Sequence, residues 1–140
     1  MDKKILRLID ANINRLLEGL RVCEDIERFI AGSRKLTAIF KRLRHKITAT
    51  TKDWDINSRG LLDSRNSLKD IGKASIEAEL KRNNYKDIFY ANIQRSKESI
   101  RVLEEFAKLN NKKVADKFKD IRYRLYQVEK EAISRLRLWL

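Results

Sequence analysis

The sequence has few of the residues that interrupt helices or that crosslink a chain. Its 140 residues include no proline and only four glycines, so there is little material for tight turns or for the ends of strands. The single cysteine, Cys23, cannot form an intramolecular disulfide, and no cysteines and histidines have the spacing of a zinc site. We therefore expect long helices and a reducing compartment.

Long apolar segments are absent as well. Residues 1–5 lack the apolar core of a signal peptide, and no apolar run approaches the length of a membrane-spanning helix. A cytoplasmic location without a membrane segment is the expectation.

Positive charge, in contrast, is abundant. The 33 basic residues outnumber the 20 acidic ones and give a formal net charge of +13. Such a charge attracts nucleic acids, nucleotides, phosphorylated metabolites or an anionic membrane surface, and it does not distinguish among them. A basic surface that is merely solvated is the alternative.

Apolar residues recur at helical spacing over most of the chain. The pattern predicts helices over about 2–31, 34–52, 75–82, 85–109 and 112–138. Gly32 and Ser33 separate the first two, with Ser33 as the expected cap of the second. The stretch 53–72 loses the pattern and is interpreted as an irregular connection. We thus predict one all-α domain over 1–140, with four long helices and a short helix in the connection.

The two halves of the sequence repeat each other. A block that begins at Ala11 returns 80 residues later at Ala91, with eight identities in one register: Ala11/Ala91, Asn12/Asn92, Ile13/Ile93, Arg15/Arg95, Glu18/Glu98, Arg21/Arg101, Val22/Val102 and Glu24/Glu104. We interpret the chain as a tandem duplication of a helical hairpin, with repeat 1 over about 2–52, a connection over about 53–84 and repeat 2 over about 85–138.

Polar residues interrupt the apolar side of the first repeated helix. On a helical wheel Asn12, Arg15 and Gly19 lie between two apolar patches, and the second copy repeats this with Asn92, Arg95 and Ser99. Burying such groups without partners is unfavourable, which indicates a ligand-facing role for the asparagine–arginine pairs. The alternative is a purely structural role for these pairs.

Residues spaced by three along this helix could also form a surface ladder of ion pairs. This reading suits Glu18, Arg21 and Glu24, which move toward the outer face, but it suits the asparagines poorly. Of the remaining candidates, His45 corresponds to Tyr123 in the second half and is interpreted as a partly buried structural ring.

The connection contains the other candidate residues. Asp63 and Asp70 could hold magnesium, and Arg65 with nearby backbone amides could hold phosphate. An ordinary polar linker is the alternative at this tract.

These motifs resemble one bacterial family, the helical domain found alone or fused ahead of thiamine-phosphate synthase and regarded as a hydroxymethylpyrimidine phosphate kinase. The likeness covers about Ile9 to Glu129 and rests on the two repeated blocks, on Arg42-Leu43-Arg44-His45 and on Ser64-Arg65 with Asp70-Ile71-Gly72. Asn66, Ser67 and Lys73 depart from the family pattern, in which Asp, Thr and Thr occupy these places.

The resemblance implies a soluble kinase of thiamine biosynthesis that transfers a phosphoryl group from ATP, with Mg²⁺, to hydroxymethylpyrimidine phosphate. Thiamine-phosphate synthase would be a partner, and a homo-oligomer is an open alternative. The residues expected to carry the function are Asp70 as the catalytic and metal-binding group and Asn12, Arg15, Arg65, Gly72, Asn92 and Arg95 for substrate and phosphates.

Two other classes of function compete with this one. The chain could be a non-catalytic pyrimidine-phosphate binder or a regulatory partner of the synthase. It could also be a basic helical nucleic-acid-binding module, although aromatic residues make up only 8% of the sequence. Segregation of the basic residues onto one broad face would favour the last reading.

Overall fold

Four long helices make up most of the chain. The computed structural model describes residues 1–138, with side chains as far as residue 136. In chain order the helices are α1 (Lys3–Asp25, continued by a π-helical segment at Ile26–Ala31), α2 (Arg34–Asp53), α3 (Ser58–Ser64), α4 (Glu77–Leu80), α5 (Tyr85–Ala107) and α6 (Lys112–Leu138), with a 3₁₀ turn at Ser67–Lys69. None of these described residues lies in a β-strand, which confirms the all-α class.

Polar residues that precede the long helices explain where they begin. Each of these four residues accepts a hydrogen bond from a backbone N–H of the first turn: Asp2, Ser33, Asn84 and Asn111. The predicted cap at Ser33 is thus confirmed, with Oγ 3.2 Å from Leu36 N. Gly32 ends the preceding helical segment with φ +67°, a left-handed conformation that favours glycine.

The long helices surround one apolar core. α1 packs against α2 and α5, and α6 packs against the same two helices, so each long helix has two long neighbours. The core contains fully buried aromatic residues, among them Phe40 of α2 and Phe89 of α5, whose rings meet edge to face at 6.1 Å. This arrangement places the α1/α5 contact and the α2/α6 contact on opposite sides of the molecule.

α1 and α5 run antiparallel and approach each other closely. Ser96 Oγ donates to Leu16 O at 3.3 Å, and further along Cys23 Sγ lies 3.8 Å from Phe89 O. A Cβ added at Gly19 would overlap Ser96 Oγ and lie 2.9 Å from Asn92 O. Close contact of the two helices at this point therefore requires a glycine.

The structure differs from the predicted helix bounds in three details, two of them in the connection. Residues 58–64 form a helix where an irregular segment was expected, because Asn57 caps it and Leu61 packs into the core. The helix predicted over 75–82 is only Glu77–Leu80, and the one predicted over 85–109 ends at Ala107. Short helices have too few residues for their periodicity to be distinguished from a loop.

Candidate functional site

The repeated asparagines and arginines meet in a single groove between α1 and α5. The α1/α5 groove encloses a cavity of about 510 Å³. Its lining residues come from both helices and from α4: Asn12, Arg15, Glu18, Gly19, Glu79, Asn92, Arg95, Glu98, Ser99 and Val102. The four residues that interrupt the predicted apolar faces, Asn12, Arg15, Asn92 and Arg95, are thus brought together.

Both asparagines present a free acceptor. Asn12 Nδ2 donates to Leu8 O at 2.9 Å, and Asn92 Nδ2 donates to Ile88 O at 2.8 Å. Because these bonds to backbone carbonyls occupy each amide nitrogen, each Oδ1 is left as the acceptor available to a ligand. Neither Oδ1 accepts a hydrogen bond from the described part of the chain. The groove is therefore equipped to bind a ligand that carries N–H or O–H donors.

Both arginines of the groove lack a side-chain partner in the part of the chain that the structure describes. Arg15 and Arg95 are exposed and form no ion pair or hydrogen bond with any side chain described by the structure. Two arginines at other helix contacts are paired instead: Arg44 and Arg122 each bind a carboxylate through two nitrogens. A free guanidinium is suited to a phosphate group, which it can bind through two parallel hydrogen bonds.

Carboxylates also line the groove, and the sequence analysis did not anticipate them. Glu18 was expected on an outer ladder, but it lines the groove, as do its counterpart Glu98 and Glu79 of α4. Three glutamates and two arginines give the lining a formal charge of −1. A phosphate bound here would therefore need either both arginines or an accompanying cation.

A smaller recess adjoins the groove. The side recess has a volume of about 210 Å³ and lies between α1 and residues 65–70 in the middle of the connection. Its lining residues are Arg7, Asp10, Ala11, Asn14, Arg15, Glu18, Arg65, Asn66, Ser67 and Asp70. Because Arg15 and Glu18 line both cavities, the connection borders one end of the α1/α5 groove.

Arg65 is held by an ion pair within this recess. Its Nε and Nη2 donate to the Asp10 carboxylate at 2.8 and 2.9 Å, and these hydrogen bonds raise the pKa of Arg65. Arg7 Nη2 adds a bond of 2.9 Å to Asn66 O. The predicted phosphate-binding arginine thus anchors the connection to α1, with its Nη1 outside the pair.

The predicted metal residues of the connection lie apart from any acidic cluster. Asp70 is exposed, lines the side recess and accepts a hydrogen bond from Gly72 N at 2.8 Å, whereas Gly72 itself lines neither cavity. Asp63 lies 3.7 Å from Arg59 instead. The described residues contain no group of three or more His, Cys, Asp or Glu side chains placed to bind a metal ion.

One residue of the supposed surface ladder, Glu24, and its counterpart Glu104 are buried. Glu24 binds Arg44 of α2 at 2.9 and 3.1 Å, and its counterpart Glu104 binds Arg122 of α6 at 3.0 and 3.3 Å. The predicted i,i+3 pair of Arg21 and Glu24 forms at 3.3 Å. The outer-face position predicted for Glu24 was wrong, since the spacing of three carries it onto the face that packs against α2. The separate prediction of a partly buried structural ring at His45 was also wrong, because His45 is exposed.

Comparisons with known proteins identify the family of this chain. The model of the ThiD2 family matches residues 7–131, which include both repeated blocks and the whole connection. The chain belongs to the ThiD2 family.

Relatives of this family member are much longer proteins. A thiamine-phosphate synthase of Prochlorococcus marinus (strain AS9601) is 34% identical over 95% of this chain and 36% of its own length. Those of Synechocystis and Rhodopirellula baltica are 35% and 32% identical over 89% and 92% of this chain, and 35% and 34% of their own lengths. This chain thus spans about a third of the curated relatives that it matches.

No solved structure matches the chain significantly. Within the described residues, no helix combines the length and the apolar character that a membrane crossing would require.

Proposed function

We propose that this chain phosphorylates hydroxymethylpyrimidine phosphate to its pyrophosphate, with ATP as the donor, in thiamine biosynthesis. One observation carries the proposal: two arginines and two amide oxygens, from corresponding positions in the two halves and without partners among the described residues, line one cavity of about 510 Å³. A cavity of this size suits a small heterocycle with its phosphate. The family and the named relatives supply the pathway.

The polar groups of the groove match the two ends of this substrate. The pyrimidine carries an amino group, which Asn12 Oδ1 and Asn92 Oδ1 can accept. Its phosphate requires cationic donors, which Arg15 and Arg95 supply. Phosphoryl transfer depends mainly on positioning and on charge neutralisation, so a site without a Ser/His/Asp triad is compatible with it.

The side recess is the proposed place for the phosphates of the donor. It shares Arg15 with the groove, so an anion held there would lie beside the substrate phosphate. Magnesium would be held by Asp70 and Glu18, together with the phosphate oxygens. This donor set fits the ion, because Mg²⁺ is commonly bound by one or two carboxylates plus phosphates and water. When bound, the metal would neutralise charge on the phosphates.

The duplication belongs to the same proposal. Two copies of a hairpin would each contribute one Asn, one Arg and one Glu to the groove where they meet. The ion pairs Glu24–Arg44 and Glu104–Arg122, which link the helices of each half in the same way, support this interpretation. A site built at the junction of two copies would explain why the repeated residues face each other.

A coupled kinase assay with hydroxymethylpyrimidine phosphate, ATP and Mg²⁺ tests the proposal. We expect turnover that drops by about 100-fold or more in Arg15→Ala and in Arg95→Ala, because each removes a charge-assisted contact to phosphate. Arg34→Ala is the matched control, since Arg34 is exposed on α2 and lines neither cavity. Absence of turnover, or equal activity in all three variants, would contradict the proposal.

A non-catalytic binder of pyrimidine phosphate is the second candidate. It is favoured by the isolation of Asp70, which is exposed in a turn and lies in no acidic cluster of the described residues. Such a protein would show a rise in melting temperature with hydroxymethylpyrimidine phosphate, lost in the two arginine variants, but no consumption of ATP. The assay and the thermal measurement together separate the two candidates.

A further inference from the structure

One part of the connection is fixed to the helix bundle only at its two ends. Before it, Arg65 pairs with Asp10 of α1, and after it Asn84 caps α5. Residues 67–82, here called the strap, form no hydrogen bond or ion pair with any described residue beyond the adjacent Asn66. Polar contacts with the bundle thus occur at the ends of the strap and not along it.

The strap runs beside the α1/α5 groove from one end of the groove to the other. Its first anchor, Asp10, precedes the groove lining of α1, which begins at Asn12. The strap leads into α5 at Tyr85, which precedes the groove lining of α5, beginning at Asn92. Because α1 and α5 run antiparallel, these two anchors lie at opposite ends of the groove. Glu79, from the strap itself, already lines the groove.

Every large apolar side chain of the strap is exposed. Leu68, Ile71, Ile76 and Leu80 are each at least 61% exposed. The groove is open to solvent, and Val102 is the only large apolar side chain in its lining. Sites for small heterocyclic ligands are lined mainly by apolar side chains. The apolar surface that the groove lacks is therefore present in the segment beside it.

We infer that the strap is a lid that closes over the α1/α5 groove when a ligand binds. Its apolar side chains would cover the ring of the ligand, while Arg65 and the start of α5 stay in place. Without a ligand, closure would gain little, because the strap would meet a largely polar lining.

A closed strap would also serve phosphoryl transfer, because it would keep water away from the donor phosphates. The inference takes the identity of the ligand from the proposed function. Closure itself does not depend on catalysis, so the two can be tested separately.

The reactivity of an introduced thiol tests closure directly. The natural Cys23 is fully buried, so Ile71→Cys and Ile76→Cys each provide one accessible thiol. The probes are hydroxymethylpyrimidine phosphate, ATP with Mg²⁺ and inorganic pyrophosphate, each added alone and in combination. We expect modification by a water-soluble maleimide to slow by about tenfold or more with hydroxymethylpyrimidine phosphate, because closure removes the thiol from solvent.

Leu109→Cys is the matched control for this measurement. Leu109 is also an exposed apolar residue, but it follows α5 and lines neither cavity. Its thiol should react equally fast with and without the probes. Reaction at positions 71 and 76 that no probe slows would overturn the inference, whatever the kinase assay gives. Protection without turnover would support the lid and contradict the kinase.

A second copy of the chain is the competing cover for the strap. In that case the introduced thiols would be protected before any probe is added, and more so at higher protein concentration. Sedimentation velocity gives the oligomeric state of the same samples. Concentration-dependent protection that accompanies a dimer would overturn the inference.

The apolar character of the strap is tested by ligand affinity. Ile71→Ser/Ile76→Ser should weaken the binding of hydroxymethylpyrimidine phosphate by about tenfold in a calorimetric titration, because the ligand loses apolar cover. The melting temperature of the ligand-free chain should not change, since both side chains are exposed. Leu109→Ser should alter neither quantity. An affinity equal to that of the natural chain in the double variant would overturn the inference.

Discussion

α1 and α5 each carry two sets of polar residues, and the two sets have different environments. On the sides that pack against α2 and α6, Glu24 and Glu104 are buried and bound by arginines through two hydrogen bonds each. On the sides that face each other, Arg15 and Arg95 have no partner among the described residues. The position of a polar residue on its helix does not by itself show whether the residue is structural or can bind a ligand. The deciding feature is whether a residue of a neighbouring helix pairs with it.

Removal of a paired carboxylate should have the largest effect. Glu104→Ala leaves Arg122 buried without its main partner, and we expect a loss of about 3–5 kcal/mol in the free energy of unfolding. Denaturant unfolding measures this, and ligand affinity per folded molecule should hardly change. A loss below about 1 kcal/mol would mean that the buried, paired carboxylates contribute no more to the free energy of unfolding than the exposed polar residues do.

The asparagines of the groove should show the opposite behaviour. Asn12→Ala and Asn92→Ala each remove a free acceptor, and we expect affinity for hydroxymethylpyrimidine phosphate to fall by about 1–3 kcal/mol. Melting temperature should change little, because the lost bonds lie within a single helix.

Calorimetric titration of both variants tests this, alongside Asn83→Ala as a control at an exposed position that lines neither cavity. Unfolding of both variants with unchanged affinity per folded molecule would make the asparagines structural.

Glu27 extends the comparison to a buried group that lacks a hydrogen-bonding partner. Neither carboxylate oxygen forms a hydrogen bond with the described residues. Burial raises the pKa of Glu27 to about 6, although the positive charge of Arg135 acts to lower this pKa. The folded state therefore holds this proton more tightly than the unfolded state, in which the pKa is 4.5. The resulting stabilisation is complete below about pH 4.5 and is lost as pH rises through about 6.

Glu27→Gln should remove that pH dependence. Between pH 5 and 7 the variant should gain up to about 2 kcal/mol relative to the natural chain. Chemical denaturation across this range measures the gain, with the exposed Glu77→Gln as a control that should show none. Parallel pH profiles for the natural chain and Glu27→Gln would refute the prediction.

The exposed members of the same motif should have the smallest effect. Arg21 and Arg101 also contact Glu24 and Glu104, at 3.3 and 3.2 Å, but about half of each side chain is exposed. Arg21→Ala and Arg101→Ala should therefore lower stability by only about 0.5 kcal/mol, because solvent screens the pairs. A loss comparable to that of Glu104→Ala would mean that the exposed arginine, and not the one across the seam, holds the carboxylate.

The sequence predicted those features that depend on local periodicity. The bounds of α2 and α6 and the cap at Ser33 follow from short-range patterns. The ion pairs of Glu24 and Arg65 do not, because their partners lie 20 and 55 residues away.

The inward position of Glu18 was missed for a related reason. On a wheel Glu18 lies at the border between two faces, and only the close approach of α1 and α5 decides that it lines the groove. The repetition of this residue at Glu98 was the available signal, and it was interpreted as part of a ladder.

The crossing of α1 and α5 has a consequence for the direction in which a ligand binds. Leu16 and Ser96 touch where the helices cross, and they are corresponding residues of the two repeats, 80 residues apart. A ligand turned end for end in the groove would therefore meet nearly the same groups. A molecule with two different ends would gain little by choosing one orientation. The connection removes this ambiguity, because the Asp10–Arg65 pair anchors it beside Arg15 and the side recess includes no residue of α5. The connection thus makes the two ends of a near-symmetric cavity chemically different.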